Sequence, residues 1–117
     1  MSPDVFNAFC ASLPHTTYVM QWGGSHVWKV GRKVFAIGWD EVDGPAHTFK
    51  TSEIAFEMLK SVPGCRPAPY MASRGLKWIQ RFAATGLSDE DLRAYLRESY
   101  RLVAAGLPKK LRAALGL

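Results

Sequence analysis

Residues 17–50 read TYVMQWGGSHVWKVGRKVFAIGWDEVDGPAHTFK, runs of alternating apolar and polar side chains separated by glycine-bearing turns. Tyr18, Met20 and Trp22 share one face of a first strand, and Gly23-Gly24 supplies a hairpin turn. His26 to Val30 returns and Gly31-Arg32 turns again. Lys33 to Trp39 then places Phe35, Ile37 and Trp39 on one face. The loop Asp40 to Pro45 leads to a short strand around His47 to Lys50. A period of two with short turns predicts an antiparallel meander with one buried face. Trp22 and Trp39 read as packing residues of that sheet.

Outward from the meander the period changes to that of a helix. Ser2 caps and Pro3 opens a helix carrying Val5, Phe6, Phe9, Cys10 and Leu13, which Pro14 ends. Thr51 or Ser52 caps a second, with Ala55, Met58, Leu59 and Val62 as its apolar stripe. Leu76 to Phe82 is expected as a last strand. Ser88 caps a long helix whose first turn holds Asp89, Glu90 and Asp91, where the helix dipole favours them. Leu92, Leu96, Ser99 and Val103 define its inner face, Gly106 suits a C′ position, and Pro108 starts a terminal helical turn or two. These elements predict one α+β domain over residues 1–117, an antiparallel sheet packed against helices.

Between the second helix and the last strand lies Pro63 to Gln80, with Pro63, Pro67, Pro69, Arg66, Arg74, Lys77, Tyr70 and Trp78. Pro63-Gly64 ends the helix, while Pro67 and Pro69 push Arg66 and Ala68 toward extended backbone. The stretch is expected to be a stiff extended arm presenting three cations among two aromatics. Tyr70 reads as a packing peg for the arm or as a ligand contact. Trp78 is either a core residue with Lys77 outside or the reverse.

The chain carries +5, and the charge is unevenly spread. Residues 1–59 hold four bases against six acids, and residues 60–117 hold eleven against four, giving −2 and +7. Such an imbalance suits a polyanionic partner, and equally plain solubility. Arg93, Arg97 and Arg101 repeat along the long helix, where Asp89 and Glu98 stand at pairing distance in sequence. Lys109 and Lys110 have no such neighbour and sit where the helix dipole repels them. His15, His26 and His47 are dispersed and match no metal or catalytic motif, although His26 and His47 could meet across the sheet. No metal, cofactor or enzymatic activity is therefore expected. Asp40, Glu41 and Asp43 read as a solvated acidic loop. Cys10 and Cys65 fit no disulfide or zinc spacing and are expected to be reduced, in a cytoplasmic protein. No apolar run approaches the roughly 20 residues needed to span a bilayer, and no signal peptide is recognised.

Arg66-Pro67-Ala68-Pro69-Tyr70 resembles the signature of the MmcQ/YjbR family of small bacterial proteins. Ser99-Tyr100-Arg101-Leu102-Val103, with Leu107-Pro108-Lys109-Lys110 after it, is similar to that family's C-terminal helix and tail. Ser12-Leu13-Pro14 and Trp28-Lys29-Val30-Gly31-Arg32-Lys33-Val34-Phe35-Ala36 fit its N-terminal half. The resemblance implies a frataxin-like, double-wing-like α+β architecture and a DNA-binding role drawn by analogy from that fold.

Two functions follow as expectations. One is weak duplex DNA binding without sequence preference, through phosphate contacts from Arg66, Arg74, Lys77, Lys109, Lys110 and Arg112, with Tyr70 and Trp78 as stacking or groove residues. The other is a module that binds a protein or small ligand through the arm and aromatic groove, without nucleic acid.

Overall fold

The computed structural model describes residues 1–41 and 44–117. Helix α1 (Pro3–Ser12) precedes four strands, β1 (Thr16–Gln21), β2 (Ser25–Val30), β3 (Lys33–Glu41) and β4 (Gly44–Lys50). Helix α2 (Glu53–Leu59), strands β5 (Cys65–Pro67) and β6 (Trp78–Arg81), and helices α3 (Asp89–Ala105) and α4 (Lys109–Leu115) complete the chain. All the strands pair antiparallel in one six-stranded sheet of order β1-β2-β3-β4-β6-β5. The α+β prediction holds. Ser2, Ser52 and Ser88 each cap a helix through their hydroxyls, as their positions predicted.

The helices cover one sheet face. Phe6 and Cys10 of α1, Phe56 and Leu59 of α2, and Leu92, Leu96 and Val103 of α3 share a core with Phe35, Phe49 and Ile79. Ser99 donates to the Phe35 carbonyl and accepts from the Lys50 amide, joining α3 to two strands. On α2 the apolar stripe runs through Phe56 and Leu59, while Met58 points outward at 63% exposure.

A β-bulge changes which side chains face the core. Trp28 pairs with Ala36 but Lys29 with Val34, so Phe35 is an extra residue on β3. Phe35 and Ala36 both join the helix-side core, and Phe35 meets the Tyr100 ring edge-on at 5.4 Å. Ile37 and Trp39 consequently lie on the opposite face from Phe35. The single-face alternation expected for β3 is thus broken at the bulge.

Pairing also sets the two ends of the sheet. The upper end carries the β1–β2 loop, Asp40 and the α3 N-terminus, where Arg81 of β6 donates to Asp89 at 2.9 Å. At the lower end is the β2–β3 turn. Helix α3 runs about 25 Å from one to the other, at about 1.5 Å per residue.

The arm is not a stiff extended segment throughout. Only Cys65–Pro67 pairs, as the edge strand β5. Ala68 then donates to the Trp78 carbonyl, and the chain loops through a 3-10 turn at Ala72–Arg74 before β6. The loop lies over the sheet face that the helices leave uncovered, because its residues line the same cavity as Ile37 and Thr48.

Candidate functional site: a basic end and an open-face cavity

Gly31 and Arg32 form a two-residue hairpin turn with φ of 53° and 75°. A Cβ on Gly31 would stand 2.6 Å from the Leu107 side chain, so glycine lets the turn seat on the α3–α4 junction. Beside it, the Lys33 ammonium donates to the Gly106 carbonyl at 3.5 Å. These contacts bring Arg32 and Lys33 to the same end as Lys109 and Lys110. All four are exposed. Among the described residues none of them pairs with a carboxylate. Lys50 and Lys77 stand at this lower end too, since Lys50 pairs with Trp78 in the ladder. Asp4, Asp40, Asp89, Glu90 and Asp91 lie at the other end, while Glu53 and Glu57 of α2 stay near Lys50 and Lys77, so charge is partly polarised along the strands.

The residues expected to bind phosphate are divided by the sheet. Arg66 is held on β5, its Nε donating to Gln80 Oε1 at 2.6 Å and its guanidinium lying 4.8 Å from the Phe82 ring. Arg74 lines the open-face cavity. Lys77 lies over the Phe56 ring at 4.8 Å. Lys109 and Lys110 project from α4 on the helix side. Arg112 is half-buried there, its Nε enclosed without a partner among the described residues. Trp78 is 8% exposed and presents no free ring face, which removes it as a stacking residue. Tyr70 is 88% exposed and is no packing peg. Sequence reading missed Arg32 and Lys33 because they sit in the acidic half of the chain and join the tail only through the fold.

The open face holds a cavity of about 720 Å³. Ile37, Trp39 and Thr48 line it from the sheet, Trp22 and Gly24 from the β1–β2 loop, and Tyr70, Met71 and Arg74 from the arm. Trp22 is 64% exposed rather than a core residue. Trp22 and Tyr70 hold left-handed backbone, φ 49° and 69°, which costs a bulky residue on the order of 1–2 kcal/mol. Thr48 is 2% exposed, and its Oγ1 has no partner among the described residues. Across the β4–β6 ladder its register neighbour Gln80 has an orphaned Nε2 as well.

A buried polar cluster lies at the upper end of the core. Arg81, 3% exposed, donates to the Leu87 carbonyl and to Asp89, which also receives the N-terminal ammonium at 3.2 Å. Burial works against ionisation of Asp89, but its hydrogen bonds from Arg81 and the N-terminus outweigh that and lower its pKa. His47 lies beside them against the Phe6 ring. Burial first, then the N-terminal and Arg81 charges, lower its pKa to about 4. His26 and His47 do not meet, because Gly38 of β3 stands between them in register and Phe6 packs over it. Asp89, expected to support Arg93, is committed to Arg81, whereas the Glu98–Arg101 pair forms as expected. Both cysteines are free thiols. Among the described residues, no group of three His, Cys, Asp or Glu side chains could hold a metal ion. Nor is any helix there long and apolar enough to cross a membrane. The acidic loop falls partly outside the described residues, which exclude Val42 and Asp43.

The YjbR family model matches residues 11–102, which includes the meander, the arm and most of α3. The chain belongs to the YjbR family. This YjbR domain is similar to the crystal structure of a Deinococcus radiodurans protein carrying a DUF419 domain. The TM-score is 0.84 at 25% identity, covering 99% of this chain and 88% of that one. It is also similar in fold to a Pseudomonas syringae protein, with a TM-score of 0.70 at 18% identity, covering 87% and 98% of the two chains. No curated protein matches. Lys109 and Lys110 of the YjbR domain lie beyond the matched residues, while Arg32 and Lys33 lie within them.

Proposed function

We propose that this YjbR-family protein is a non-catalytic, cytoplasmic binding protein that takes duplex DNA, weakly and without sequence preference, at its basic lower end. The carrying observation is the seating of the Gly31-Arg32 turn on Leu107, which unites Arg32, Lys33, Lys109 and Lys110. Exposed cations without carboxylate partners are free to neutralise phosphates and release counterions. The acidic opposite end favours one orientation of the protein toward a polyanion. The reading assigns phosphate contacts and no base readout. Arg66 and Arg74 are not part of this surface. Fluorescence anisotropy with two unrelated short duplexes over a salt series tests the reading. The expected result is similar affinity for both, falling steeply with salt. Affinity that ignores salt, or that differs widely between the duplexes, contradicts it.

A further inference from the structure

We propose that the open-face cavity is a second, independent site for a small planar aromatic molecule bearing an anionic group. Its volume, about 720 Å³, falls in the range of small-ligand sites. Trp22 and Tyr70 both line it, one from the β1–β2 loop and one from the arm, both exposed and both in left-handed backbone. Strained, exposed aromatics facing one cavity suit stacking on a flat ring. Arg74 and Asp40 both line the cavity, and the Arg74 guanidinium forms no ion pair among the described residues, so it is the cation available to an anion there. The cavity floor supplies the independent observation. Thr48 is buried there with its hydroxyl unpartnered, next in register to the orphaned Gln80 amide. Buried polar groups are ordinarily satisfied, and a ligand edge able to hydrogen-bond the Thr48 hydroxyl would satisfy it. Both nucleotides and aromatic carboxylates have this chemistry. The site does not depend on the DNA reading, because Arg32, Lys33, Lys109 and Lys110 do not line the cavity.

Isothermal titration calorimetry with adenosine monophosphate and with indole-3-acetate, each beside its neutral counterpart adenosine or indole, tests the assignment. Preference for at least one anion over its neutral partner by about tenfold is expected, and the anion that binds identifies the source. Arg74→Ala should abolish that preference, and Tyr70→Ala should weaken binding by about tenfold through lost stacking. Thr48→Val should weaken binding about fivefold while raising Tm, because it removes an unpaired buried hydroxyl. A merely structural Thr48 would lower Tm instead. Lys109→Ala with Lys110→Ala should leave the titration unchanged. No saturable binding of either anion, equal binding of the neutral partners, or loss of binding in the lysine variant would overturn the proposal.

Discussion

Replacing His47 by Leu should flatten the acid side of the protein's stability profile. The imidazole is packed against Phe6, near the buried Arg81, Asp89 and the N-terminal ammonium. Its pKa falls from 6.5 to about 4, with burial as the largest cause and the two positive charges adding to it; Asp89 opposes them. A depressed histidine is neutral in both states above pH 6.5. Below that the unfolded chain takes up the proton first, so stability falls until the folded pKa is reached. At about 1.36 kcal/mol per decade of proton affinity, the loss between pH 7 and pH 5 comes to about 2 kcal/mol. Most of a further 1 kcal/mol goes by pH 4. Urea unfolding of wild type and His47→Leu at these pH values measures it, since other titrating groups cancel in the difference. Leu forfeits no hydrogen bond at Nδ1, which has no partner among the described residues. The two proteins should therefore lie within about 1 kcal/mol at pH 7 and diverge in favour of the variant as pH falls. Parallel profiles would refute the buried neutral histidine.

Asp89→Ala leaves the buried Arg81 without its carboxylate and should cost about 2 kcal/mol in urea unfolding at neutral pH, and a change near zero would contradict the pairing. Gly31→Ala forces an L side chain into φ of 53° against Leu107 and should cost about 1 kcal/mol, whereas an unchanged midpoint would mean the turn does not seat there. Burial pushes the Cys10 thiol up to about 12. Intact mass after alkylation at pH 8 should therefore show Cys10 unmodified in native protein and both thiols modified in urea, and rapid native labelling of Cys10 would contradict the packing.

Local signals carried most of the fold. Serine caps, proline stops and glycine turns act within a few residues, so α1, α3 and the meander could be placed from the chain alone. Errors arose where a tertiary contact overrode periodicity. The Phe35 bulge moves Ile37 and Trp39 onto the face away from Phe35, and no alternation pattern marks an inserted residue. Trp22 continues the spacing of Tyr18 and Met20 but begins the loop, in left-handed backbone. The proline pair at Pro67 and Pro69 held the chain extended only where β6 offered a partner. Of the candidate site, the tail lysines were visible as cations without neighbours. Their union with Arg32 and Lys33 depends on α3 crossing the domain, a contact between residues far apart in sequence that charge counting by halves obscures.

The most direct test of the basic end is the salt dependence of duplex DNA binding by Arg32→Ala/Lys33→Ala, set beside Lys109→Ala/Lys110→Ala. Each lost phosphate contact lowers the slope of log affinity against log salt by roughly 0.9 on B-DNA. A shared surface predicts that both double variants flatten the slope, each by up to about 1.8, and alike on unrelated sequences. An unchanged slope for the Arg32/Lys33 variant would contradict the account, since that pair belongs to the surface only through the fold.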